Sequence, residues 1–332
     1  MWMRLVFSMS VILVLPLPAF ADPPRLALPI DCEIGPDCFV QQYVDQNAGV
    51  GYRDYRCGPL TYNDHKGTDF RLRSHASLAN EIAVVAAAPG TVKRVRDGVP
   101  DVDARLVGRD AVLDVGLGNT VIIDHGGGWR TIYAHMKRGS IAVKPKQTVQ
   151  AGQKLGLVGL SGLTEFPHVH FQVQFGNRVI DPFVGLETHT GCEVGKNALW
   201  RPETLTQLTY QPTRLLQSGF STRPMKRAAL QYGLHGRNVL SRKRGNLYFG
   251  VFVAGLYPGD KFVMQIFDSQ GKQIRAGSST MKKSAAVQFR SLAHEQATPL
   301  PAGQYRARFT LLRTKEKKTE RVIAIERLVT LR

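Results

Sequence analysis

Acidic residues are scarce in the last part of this 332-residue chain. After residue 200 there are 24 Lys+Arg against 7 Asp+Glu, 24 − 7 = +17, whereas residues 1–200 hold 20 against 19, 20 − 19 = +1. The net charge of +18 therefore belongs almost wholly to one segment, whose field favours anionic partners unless it is simply a soluble basic domain. Beyond the N-terminus no apolar run reaches about 18 residues, which excludes a helical membrane span there. Cysteine is limited to four residues with no C-x-x-C pair, which argues against a cysteine zinc site. Hydrophobic residues at 43% and aromatics at 8% exclude wholesale disorder, and the length suits two domains.

What is present begins with an export signal. Arg4, an apolar stretch over residues 5–17 and Ala19-Phe20-Ala21 form the three parts of a secretory leader, 1–21, cleaved before Asp22. No cysteine follows that site directly, which argues against a lipid anchor, and a periplasmic or secreted location is expected. An oxidising compartment makes Cys32, Cys38, Cys57 and Cys192 disulfide candidates. Of three possible pairings, Cys32–Cys38 closes a small local loop and Cys57–Cys192 ties the start of a domain to its end; these two are favoured.

Along the chain, residues 22–60 form a cysteine-containing lead-in that drapes over the next domain. From 61 to 192 short β-prone runs at 82–88, 91–96, 112–115, 120–124 and 130–134 alternate with glycine turns. An antiparallel β domain without a long helix is expected, with 97–118 as a loop over one face. Residues 193–227 carry Pro202, Pro212 and Pro224 and read as a linker with one helical turn. Residues 228–332 hold five further β-prone runs with turn signals between them, the pattern of a small sandwich. That part contains no cluster of titratable residues, so it reads as a binding or placement domain.

The chemistry concentrates in Pro167-His168-Val169-His170-Phe171. On a strand, His168 and His170 project to one face while Val169 and Phe171 pack on the other. Paired histidines alone suit a packed core or a surface as well as a site. About a hundred residues earlier stands His65-Lys66-Gly67-Thr68-Asp69. Fully extended, His65 and Asp69 would lie roughly 13 Å apart at about 3.3 Å per residue. A helix would join them, but Gly67 inside it costs about 1 kcal/mol relative to Ala. A bend at Lys66-Gly67 is the better reading. His65, Asp69 and one histidine of the later pair then make a two-His, one-carboxylate set with an open position for water, as in catalytic zinc sites, and the other histidine can take a proton. His135, closing Tyr133-Ala134-His135-Met136, could face the same space. His75, His125 and His189 keep an ordinary structural reading.

As an ordered set these motifs, with Val121-Ile122-Ile123-Asp124-His125-Gly126, Ala151-Gly152-Gln153-Lys154-Leu155-Gly156 and Asp181-Pro182, resemble the lysostaphin-type (LytM-like) zinc endopeptidases over about 61–183. The lead-in around Cys57 resembles members exported by Gram-negative bacteria. The resemblance implies a duplicated-hybrid-motif-like β domain, one Zn2+ held by His65, Asp69 and His170, His168 as general base and His135 steadying the oxyanion. It implies hydrolysis of peptidoglycan stem or cross-link peptides. Gln172 in place of a frequent Glu, and the long 97–118 insertion, bear on substrate preference. Alternatives on the same fold are a non-catalytic wall-binding or regulatory protein and a secreted protease acting on other proteins. Partners expected are peptidoglycan and, through the basic C-terminal domain, anionic envelope polymers, with no nucleic acid.

Overall fold

The structure is a computed structural model that describes residues 22–187, 191–243 and 245–332. The export signal expected at 1–21, and His189, lie outside the described residues.

The glycine-punctuated first part folds into strands β1 (Cys38–Gln42), β2 (Thr68–Leu72), β3 (Ala83–Val85), β4 (Gly90–Arg96), β5 (Asn119–Gly126), β6 (Trp129–Met136), β7 (Thr148–Val149), β8 (Lys154–Leu157), β9 (His168–Phe175) and β10 (Arg178–Ile180). The main sheet runs β1-β2-β9-β6-β5-β4-β7, with β10 beside β9 and β3 paired separately to β8. Every pairing in it is antiparallel. One face rests on a core that includes Phe70 and Leu72 of β2 and Val169, Phe171 and Val173 of β9. Period-two alternation therefore turns Asp69, Arg71, His168 and His170 to the opposite face. The lead-in supplies the edge strand β1, and its Leu26 and Ile30 bridge to Trp200 and Val84. Both favoured disulfides, Cys32–Cys38 and Cys57–Cys192, are formed, the second across 135 positions.

The later part holds β11 (Arg214–Ser221), β12 (Val239–Leu240), β13 (Asn246–Leu256), β14 (Lys261–Phe267), β15 (Gln273–Thr280), β16 (Ala285–Glu295), β17 (Gly303–Lys315) and β18 (Lys318–Leu331). They form a three-stranded sheet, β11-β13-β16, and a five-stranded sheet, β12-β18-β17-β14-β15. Phe249, Val251 and Val253 from the first sheet share one core with Ile266, Phe309 and Leu311 from the second. Two sheets facing across a common apolar layer is sandwich packing.

Three expectations are corrected. Residues Asp110–Val115 are a 3-10 helix, not a strand over 112–115. Their β-branched residues find no partner strand, and Leu113 stays exposed. The linker expected over 193–227 contains β11, which pairs along β13, so the second sheet system starts upstream of residue 228. Finally, the 97–118 insertion carries helix α1 (Ala104–Val107), which lines the cleft described below.

Among the described residues the remaining helices are a 3-10 turn at His75–Asn80, α2 (Pro202–Gln207) and α3 (Arg227–Gln231). Gln231 at the end of α3 donates to the Glu165 carbonyl at 3.0 Å and accepts from Arg105 at 3.2 Å. Tyr232 donates to Asp103 at 3.1 Å, and its ring lies 4.2 Å from that of His75. These contacts seat the start of the second sheet system against the rim of the first. No helix among the described residues is long and apolar enough to cross a membrane.

Candidate metal centre

Strand register brings the pieces together. Asp69 sits directly across from His170, and Arg71 across from His168, on adjacent antiparallel strands β2 and β9. β6 flanks β9 on its other side and carries His135 next to its last residue, Met136. His65 precedes β2 and enters the site because the chain turns at Lys66-Gly67 before the strand begins at Thr68. Gly67 is required there. A Cβ would stand 2.6 Å from Cε1 and Nε2 of His170 and 2.8 Å from the Phe171 carbonyl.

Three donor atoms converge. His65 Nε2 lies 3.2 Å from Asp69 Oδ1 and 3.3 Å from His170 Nδ1, and the last two are 2.9 Å apart. A tetrahedral ion with bonds of about 2.0–2.1 Å spaces its ligands about 3.3 Å apart, so this triangle fits a divalent metal such as zinc. Burial would raise the Asp69 carboxyl, but the neighbouring imidazoles of His65, His168 and His170 hold it well below the usual range. It is therefore an anion, as a cation site needs.

Backbone carbonyls fix the tautomers, since a carbonyl oxygen only accepts. His65 Nδ1–H donates to the Tyr43 carbonyl at 2.7 Å, which leaves the Nε2 lone pair for the metal. His168 Nδ1–H donates to the Phe166 carbonyl at 2.9 Å, which turns its Nε2 lone pair inward, 3.6 Å from Asp69 Oδ1. His135 Nδ1–H donates to the Ser161 carbonyl at 2.8 Å. The rings of His135 and His168 are 4.6 Å apart. Burial pushes His168 down to about 4, against the pull of Asp69, so the ring is neutral at pH 7. Burial, then His168 and His170, hold His135 well below its ordinary value. His135 also has φ +59°, a left-handed backbone uncommon outside glycine. Its N–H bond to the Leu117 carbonyl and the ring bond to Ser161 stabilise that conformation.

All five residues expected in the site thus share one buried cluster, and Asp69, His135, His168 and His170 line a cleft of about 780 Å³. The other histidines lie elsewhere: His125 bonds Pro89 and Thr131, and His75 packs on Tyr232. Two neighbours escaped the sequence reading. Tyr62 lies over His65 with ring centres 4.5 Å apart. Arg71 is buried beside the cluster, where burial and the charges of Arg105 and Arg227 push its pKa down to about 9, still a cation at neutral pH. Its signal was present, two positions after Asp69 on the same strand face.

Residues 63–182 match the sequence profile of Peptidase family M23, and every residue of the cluster falls inside that segment. The match covers that segment alone, and the chain is similar to the M23 peptidases there. An uncharacterized metalloprotease of Haemophilus influenzae is 30% identical over 118 residues, 36% of this chain and 20% of that protein. The peptidoglycan DD-endopeptidase ShyB of Vibrio cholerae is 41% identical over 64 residues, 19% and 15% of the two chains. The DD-carboxypeptidase/endopeptidase Mpg of Neisseria meningitidis is 30% identical over 131 residues, 39% and 24%. The chain thus spans a quarter or less of these relatives' lengths. The lysostaphin catalytic domain of Staphylococcus simulans aligns at 25% identity and a TM-score of 0.27, covering 40% of this chain and 86% of that one. The segment similar to M23 peptidases therefore carries the candidate metal-site residues, while the β11–β18 region lies outside it.

Proposed function

We propose that the chain is a zinc-dependent endopeptidase that hydrolyses peptide bonds in the stem or cross-link peptides of peptidoglycan, working in the cell envelope. The observation that carries this reading is the donor triangle of 2.9–3.3 Å, with a neutral histidine directing its lone pair at the same point. The substrate class is taken from relatives described as peptidoglycan endopeptidases. A single zinc ion on His65, Asp69 and His170 supplies Lewis acidity for the scissile carbonyl and an attacking water.

The chain's own residues do the rest. His168, held by Phe166 through Nδ1, presents Nε2 to accept the proton of the water. The imidazolium so formed is the nearest acid for the departing amine. His135 faces the substrate with a lone pair while neutral, because Ser161 occupies its N–H. The expected oxyanion contact from His135 therefore needs the ring protonated at Nε2; in the neutral form it accepts a hydrogen bond and orients the water. The basic β11–β18 region we assign to placement on anionic envelope polymers, an assignment that rests on its charge alone.

Digestion of purified sacculi tests the reading. Zinc-loaded protein is expected to release muropeptides whose masses identify the cut bond, and a chelator is expected to stop release until zinc is restored. Release that is unchanged by the chelator, or no release by the loaded protein, contradicts it.

A further inference from the structure

Arg71 has no duty in the chemistry above, yet its placement is costly. Only 2% of it is exposed, and it lies in the wall of the metal cleft. Its Nη1 donates to Gln41 Oε1, and its guanidinium carbon sits 4.2 Å from the centre of the Phe166 ring. The Phe166 ring in turn lies 4.7 Å from the His168 ring. Arg71 Nε is buried without any hydrogen-bond partner. Among the described residues no carboxylate lies within 4.0 Å of Arg71. The acidic side chain whose charge reaches it, Glu165, is committed and sits 3.6 Å from Arg105. A buried cation normally has an anionic partner, and here the partner is missing from the protein.

We propose that Arg71 is a specificity-determining residue, whose guanidinium receives a free carboxylate carried by the substrate on the leaving side of the scissile bond. The side follows from His168. The group that takes the water proton hands it to the leaving nitrogen, so the leaving residue lies toward His168, and Arg71 is one ring beyond. The fork geometry of a guanidinium matches a carboxylate with two parallel hydrogen bonds, which an amide cannot reproduce. Arg227, also in the cleft wall, adds positive potential from the second sheet system. The ligand class is a peptide whose leaving residue bears its carboxylate on the carbon attached to the scissile nitrogen. This rests on the peptidase reading above.

The test compares N-acetyl-D-alanyl-D-alanine with its C-terminal amide. Binding to the metal-free full chain, followed by amide NMR, isolates carboxylate recognition from metal and turnover; hydrolysis by the zinc-loaded protein is read in parallel. The wild type is expected to favour the acid about tenfold or more in both readouts, as one charged contact allows. Arg71→Met is expected to abolish that preference and Arg71→Lys to keep part of it, which a merely structural role would not reproduce. Should Arg71→Met fail to fold, Arg71→Lys alone decides, since its acid-to-amide ratio must fall below that of the wild type. Equal affinity of the wild type for acid and amide overturns the proposal, as does an undiminished ratio in Arg71→Lys. Acid preference in binding with no hydrolysis of sacculi or of either peptide leaves the Arg71 subsite standing and removes the peptidase reading instead.

Discussion

His168 and His170 differ by one residue and face the same way, and their surroundings give them different work. His170 points Nδ1 into a triangle with Asp69 and His65, while His168 is anchored through Nδ1 to the Phe166 carbonyl and offers Nε2. Neither division is visible in a bare His-x-His motif, since it depends on which ring nitrogen a carbonyl claims. His168→Ala is expected to keep the metal and lose hydrolysis by about 10²–10⁴-fold, the usual worth of a general base. Kinetics on released muropeptides, beside zinc content of the same sample, check this, and near-normal turnover would place the base elsewhere. The candidate metal set was legible as a group because His65-Lys66-Gly67-Thr68-Asp69 and the later histidine pair occur in order. The three carbonyls that set the tautomers, of Tyr43, Phe166 and Ser161, were not, because any residue type supplies a carbonyl.

At the scale of elements, alternation along β2 and β9 was readable, since Phe70, Val169 and Phe171 mark the core face. The polar strand Gln273–Thr280 gave no such pattern, as it lies at a sheet edge with few apolar side chains. β11 was hidden between Pro212 and Pro224. The joint between α3 and the cleft rim was equally silent, because it rests on Gln231, Tyr232 and His75 from distant parts of the chain. That joint has a pH signature. Burial lowers His75 below its ordinary value, with Arg71 and Arg105 adding to the effect and the Gln231 carbonyl and Asp103 opposing it. The native protein then resists a proton that the unfolded chain accepts near pH 6.5. Below that pH the unfolded state binds more protons, so stability falls as pH falls. Denaturant midpoints at pH 7 and pH 5 are expected to drop more for wild type than for His75→Gln; parallel drops would mean that His75 titrates alike in both states.

For the whole molecule, two sheet systems meet at one cleft, and charge separates them. The first 200 residues are close to neutral and the rest carry +17, from 24 − 7. Lys317 and Lys318 stand exposed at the β17–β18 turn. Lys317→Glu combined with Lys318→Glu is expected to weaken retention on sacculi several-fold at low salt. The difference should fade as the screening length shrinks from about 10 Å at 0.1 M to about 3 Å at 1 M. Sedimentation binding assays across that range read the effect, and identical curves would remove the placement role. Composition announced this asymmetry at once, but it could not say that Phe252 and Val287 of the second system would line the metal cleft.

The most direct measurement is calorimetric titration of zinc into metal-free protein. Wild type and His168→Ala are each expected to bind one ion per chain, and His170→Ala, still folded by circular dichroism, to bind none with comparable affinity. Full-affinity, one-to-one binding by His170→Ala would contradict the account.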